Sequence, residues 1–217
     1  MELSIFDIIG NGVGNAEIGA VIKEKLQNKY KEKFLIKKIG NRYGSANEDT
    51  VTVYSCPKKN ENLIFTATLN REQTKLEDDY LIKRVSYEIE KNIKNKFKEN
   101  DLNIIIKAEI IGKNQLNEFL SVQEFINKYE NTNFLVYIIS YDEITNEILE
   151  KIFNNLNDEY ENVYLKSLIY TIDKKDFEDL YNLSNTIPTL TSSIIEKAEI
   201  KNTKIMKLFE GKLIKID

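Results

Sequence analysis

Apolar side chains recur every three or four residues between Asp79 and Phe97. Ile82, Val85, Ile89, Ile93 and Phe97 thereby share one face of a predicted helix. Lys83, Arg84, Glu88, Glu90, Lys94 and Lys98 fall mostly on the other faces, as a helix half in water requires. Glu77, Asp78 and Asp79 suit the positive beginning of such a helix, and Lys94, Lys96 and Lys98 its negative end. An apolar stripe must lie on something. Two strand-like runs just upstream, Thr50–Cys56 and Leu63–Leu69, offer a surface.

The same reading extends in both directions. Ile18, Ile22, Leu26 and Tyr30 predict an earlier helix from Ala16, with Asn15 as its cap. Phe34–Ile39 predicts a strand and Pro57–Asn62 a turn. Leu63, Phe65, Ala67 and Leu69 alternate with Ile64, Thr66 and Thr68, the period of a half-buried strand. Residues 1–100 therefore read as a lobe of helix, three-strand antiparallel meander and helix, ending at the polar run Lys98–Asp101.

Residues 101–217 read as a second lobe, a mixed sheet with alternating strands and helices. Asn103–Ile111 puts Ile104, Ile106, Ala108 and Ile110 on one face. Ser121 and Glu124 have the spacing of a capping box. Phe134–Ile139 is apolar on both faces, which predicts a strand near the sheet centre. A helix opening at Tyr141 or Asp142 carries Ile144, Ile148, Ile152 and Leu156 on one side. Tyr164–Ile172 is a further strand, and Asp173 caps a helix holding Phe177, Leu180 and Tyr181. A short helix spans Ser193–Ala198, and Ile205–Phe209 with Leu213–Ile216 form a hairpin about Glu210-Gly211. The expected class is α+β, in two lobes.

Charge and composition narrow the function. The chain has 31 basic and 35 acidic residues, a net charge of -4, with the two signs interspersed. Without a basic block, nucleic acid is not the expected partner. No run approaches 18 apolar residues, so no membrane-spanning helix is expected. Met1–Gly10 lacks the pattern of a signal peptide, so the cytoplasm is the default place, or the cell surface if a leader was removed. The excess of Lys, Asn, Ile and Glu fits coding bias in an AT-rich genome. There is one cysteine, Cys56, and no histidine. That excludes an intrachain disulfide, most triads, most zinc sites and imidazole acid–base chemistry.

Three local features carry candidate chemistry. Gly10-Asn11-Gly12-Val13-Gly14-Asn15 resembles a dinucleotide-binding turn. Its third small position is the larger Asn15, however, and the next strand ends in Lys37, Lys38 and Ile39 where an acid is needed. No cofactor is assigned. Glu77-Asp78-Asp79 does not converge on one point and has no calcium-loop spacing, so no metal is assigned either. Arg42-Tyr43 stands between Gly40 and Gly44 in a chain that uses lysine almost everywhere else. Arginine there suits a two-point grip on a carboxylate, supplied by a ligand or by the acids at 77–79. The candidate binding residues are Arg42, Tyr43, Glu77 and Asp78, and no catalytic residue is assigned.

Tyr30-Lys31-Glu32-Lys33-Phe34, Ile39-Gly40-Asn41-Arg42-Tyr43-Gly44, Val51-Thr52-Val53-Tyr54, Cys56-Pro57-Lys58 and Phe65-Thr66-Ala67 together resemble a group of uncharacterised proteins of Gram-positive and related AT-rich bacteria. Some of that group are surface lipoproteins; this chain departs from them in lacking a lipid-accepting cysteine near its start. The resemblance carries over no activity and no site residue. The expected function is non-enzymatic binding of a protein, as an immunity-type or accessory factor. The competing class is a histidine-free enzyme working with Asp, Glu or Lys in a cleft between the lobes. An uncovered strand edge favours the first, and a deep cleft with raised carboxyl pKa values favours the second.

Overall fold

The structure, a computed structural model, describes residues 12–40, 50–113, 115–129, 132–160, 163–209 and 212–216. Arg42 and Tyr43, Gly10-Asn11 and the turn at Glu210-Gly211 lie outside them. The fold is α+β, with an N-terminal helix and meander followed by a mixed sheet with helices.

Contacts along the backbone divide the chain into two compact units, 1–80 with 185–188, and 81–184 with 189–217. Most of the amphipathic helix counts with the second unit, and its polar side shows why. Glu90 and Asn92 bond to Ala108 and Tyr160, both downstream.

The first unit opens with α1 (Gly12–Tyr30), then β1 (Phe34–Ile39), β2 (Thr50–Pro57), β3 (Phe65–Asn70) and β4 (Leu76–Asp78). The four strands form one antiparallel sheet in sequence order. Val51, Val53, Phe65, Ala67 and Leu69 are buried while Thr52, Thr66 and Thr68 between them are half-buried, the alternation a one-sided sheet produces. α1 packs on β1 and sinks Ile22 and Leu26 completely. Each such side chain contributes about 1.5–3 kcal/mol relative to exposure. Tyr30, Phe34, Phe65 and Tyr80 close the core as edge-on and tilted rings 4.8–6.0 Å apart.

Two local expectations are corrected here. α1 begins at Gly12, so Asn15 lies within its first turn rather than ahead of it. Glu77 and Asp78 do not begin a helix; they pair with Thr68 and Ala67 as part of β4. A three-residue edge strand shows no alternation, and an edge tolerates charge.

The second unit holds nearly all of α2 (Tyr80–Phe97), then β5 (Ile104–Ile111), α3 (Val122–Lys128), β6 (Asn133–Ser140), α4 (Asn146–Glu159), β7 (Tyr164–Ile172), α5 (Lys174–Ser184), α6 (Ser192–Ile195), β8 (Ile200–Phe209) and β9 (Lys212–Ile216). Its sheet runs β5-β6-β7-β8-β9, with β6 and β7 parallel and every other pair antiparallel. Parallel neighbours need a long crossover, and α4 is that crossover. β6 is an interior strand, although β7 takes the middle place. The capping box forms: Ser121 Oγ accepts Glu124 N–H at 3.3 Å, and Glu124 Oε2 accepts Ser121 N–H at 2.8 Å. Asp173 caps α5 through Lys175 N–H at 2.9 Å.

Helix α4 starts later than its periodicity predicts. Asp142 does not open it, because its carboxylate accepts from the backbone and side-chain nitrogens of Asn103, at 3.1 and 3.3 Å. Thr145 caps α4 instead.

Candidate functional site

In the first unit Asp78 is bound into a network of neighbouring side chains. Asp78, whose side chain is fully buried, accepts from Tyr30 Oη at 2.6 Å, Lys29 Nζ at 2.8 Å and Tyr80 N at 3.2 Å. Burial and this carboxylate hold the Tyr30 hydroxyl well above its usual range. Tyr80 Oη donates to Glu32, which Lys59 Nζ approaches at 2.6 Å. Glu77 is exposed and pairs with Lys75. The structure thus brings Asp78 into a core network and leaves Glu77 at the surface, apart from it. Cys56 is buried, and burial raises its thiol to about 11, so it is no ready nucleophile.

In the second unit two clefts are open. One, of about 390 Å³, lies between α2 and α4 and is crossed by the pairs Lys96–Glu159 (2.7 Å) and Lys151–Glu99 (3.5 Å). The other, of about 550 Å³, is lined by Lys94, Asn103, Phe177, Glu178 and Tyr181. It adjoins the start of β5, which pairs with the carboxyl end of β6. Nearby, buried Ser140 donates its hydroxyl to Asn103 O at 2.9 Å and accepts Asp142 N–H at 3.0 Å. That serine ties strand ends together.

The sheet itself has two unlike faces. Phe134, Val136 and Ile138 of β6, Leu165, Ser167 and Ile169 of β7, and Met206 and Leu208 of β8 are all buried on one face. α3 covers it through Phe125, 6.4 Å from Phe134, and α4 through Glu150, which pairs with Lys215 of β9. On the opposite face, Leu135, Tyr164, Lys166, Leu168, Ile205 and Lys207 are only half-buried. Phe209 and Ile214 there are each 45% exposed.

The register sets these side chains in rows across the strands. Leu135, Lys166, Lys207 and Ile214 form one row. Tyr137, Leu168 and Ile205 form the next. On the other side Tyr164 and Phe209 meet ring to ring at 5.7 Å, with Lys212 opposite Phe209. Beyond this strip runs β9, the last strand, so alternate backbone N–H and C=O groups face outward with no neighbouring strand among the described residues.

At the other end of the sheet one outward group of the edge strand is satisfied by a helix. Glu90 of α2 accepts the outward Ala108 N–H of β5 at 2.9 Å. Glu90 keeps some surface, but its carboxylate sits among protein atoms, and desolvation raises its pKa despite attraction from Lys107. Lys107, 9% exposed, has its pKa lowered by the same burial, against the pull of Glu90. Lys83 Nζ reaches Thr189 Oγ1 at 2.8 Å and Asn92 bonds Tyr160, and these bonds hold α2 at two further points.

No family model matches the chain, and no curated protein does. Among solved structures, a DUF5037 family protein from Ruminococcus gnavus shares the α+β fold, with a TM-score of 0.61 over 90% of this chain and 94% of that one. The two are 18% identical, so the likeness is one of fold. No helix among the described residues is long and apolar enough to cross a membrane.

Neither the open strip nor its lysines stood out from sequence. The usable signals were the five lysines, Lys201, Lys204, Lys207, Lys212 and Lys215, against the single acid Glu210 in Ile200–Ile216, and the alternation from Tyr164 to Ile169.

Proposed function

We propose that this protein is a non-enzymatic binding protein of bacterial origin, an immunity-type or accessory factor that engages another protein through the half-exposed face of β7–β9. The observation that carries the reading is Phe209 and Ile214, exposed beside half-buried Leu168 and Ile205 and next to the unpaired edge of β9. Arg42, Tyr43 and Glu77 are further candidates for contact with the partner. The resemblance to Gram-positive and related bacterial proteins fits action in the cytoplasm or at the cell surface.

The test is recovery of partners from a lysate of the source organism, with Phe209→Glu and Ile214→Glu beside the parent chain. Both side chains are partly exposed, so Ile214→Glu should leave melting unchanged and Phe209→Glu should lower it only by the lost ring contact with Tyr164, while partner recovery falls at least tenfold. Equal recovery by all three proteins contradicts the reading. A second reading, a histidine-free enzyme, is favoured by the cleft holding Lys94 and Glu178 near the carboxyl end of β6, where open α/β sheets take ligands. Turnover abolished by Glu178→Gln alone would establish it in place of the first.

A further inference from the structure

We propose that the occupant of the β7–β9 face is an acidic amphipathic helix of a partner protein, with one carboxylate seated between Lys166 and Lys207; this rests on the protein-binding reading above. Those lysines lie directly opposite each other across the β7–β8 ladder, on the same face. Like charges so placed repel. No carboxylate pairs with either among the described residues. Both stems are half-buried, and apolar side chains frame them, with Tyr164 and Phe209 on one side and Leu168 and Ile205 on the other. An anion entering there gains two cations in partly desolvated surroundings, which strengthens the attraction over that in open water.

The shape of the strip selects a helix. From β7 to β9 it spans two strand spacings, about 9.6 Å, close to the 10–12 Å diameter of a helix with its side chains. The molecule itself sets a helix carboxylate beside this face: Glu90 of α2 accepts Ala108 N–H, next to Lys107, and attracts Lys107, which shares the face through Tyr137 and Leu168. A second copy of the chain fits poorly, because the described residues of the β7–β9 face include no acid, so two-fold pairing of this surface brings the lysines no counter-charge.

A synthetic peptide with leucines at i, i+3, i+4 and i+7 and glutamates between them is the probe, with a glutamine-for-glutamate version as control. Fluorescence anisotropy should show the glutamate peptide binding, with affinity falling as salt rises. Lys166→Glu and Lys207→Glu should each weaken it at least tenfold, and Lys207→Gln by less. The glutamine peptide should also bind at least tenfold more weakly. Melting temperatures serve as the folding control. If both peptides bind equally and Phe209→Glu abolishes both, the acidic partner is wrong while the binding face stands. If neither peptide binds, the inference falls. It falls equally if phosphatidylserine vesicles or single-stranded RNA bind more tightly than the glutamate peptide through the same lysines.

Discussion

The two ends of the second sheet answer the same physical problem differently. At the β5 end a lysine on the sheet face, Lys107, is buried, and α2 supplies a carboxylate to it and an acceptor to the exposed strand edge. At the β9 end Lys166 and Lys207 sit on that same face, half-buried, beside an edge with no neighbouring strand among the described residues. Replacing such a buried pair as a whole costs little, whereas removing one partner alone is strongly destabilising. Where the chain provides its own helix carboxylate, the surface is part of the fold. Where it does not, the surface is available to something else.

Removing the carboxylate at the β5 end is the harshest way to break this contrast. Glu90→Ala removes the carboxylate that attracts Lys107 and leaves Ala108 N–H without that acceptor. It should cost about 3 kcal/mol in urea unfolding. Lys166→Ala at the open end should cost less than about 0.5 kcal/mol. Equal costs would erase the distinction. The double change Glu90→Gln with Lys107→Met removes both charges and keeps an acceptor, so it should cost under about 1 kcal/mol.

The pH dependence sharpens the same point. Glu90 titrates higher in the folded protein than in the unfolded chain, so the folded state binds its proton more tightly. Its contribution to stability therefore rises as pH falls from the raised folded value toward the ordinary one, about 4.3. It is lost again as pH rises through the folded value. Subtracting the Glu90→Gln curve from that of the parent isolates this slope, and a difference that falls on acidification in that window contradicts the burial of the carboxylate. The smallest effect is expected at the open end. Lys207→Met removes cross-strand repulsion and should raise stability by roughly 0.2–1 kcal/mol, while weakening peptide binding.

Much of the fold follows from local pattern. The stripe Ile82–Phe97, the Ser121–Glu124 box, Asp173 as a cap and the doubly apolar β6 all rest on neighbours within a few residues, where sequence spacing and geometry coincide. The misreadings share a cause. Asp142 looks like the start of a helix until Asn103 claims its carboxylate, and Asp78 looks like a first-turn acid until Tyr30 and Lys29 bind it from α1. Both partners are remote in sequence. The facing of Lys166 and Lys207 is hidden for the same reason, since register across β7 and β8 decides it and no local period reports register.

Charge exchange between the face and its occupant tests the central claim most directly. Lys166→Glu/Lys207→Glu protein should reject the glutamate peptide and bind its lysine-for-glutamate counterpart, at an affinity approaching that of the parent pair. If the exchanged pair fails to bind while the doubly substituted protein still melts as the parent does, the lysine pair is not where an acidic partner sits.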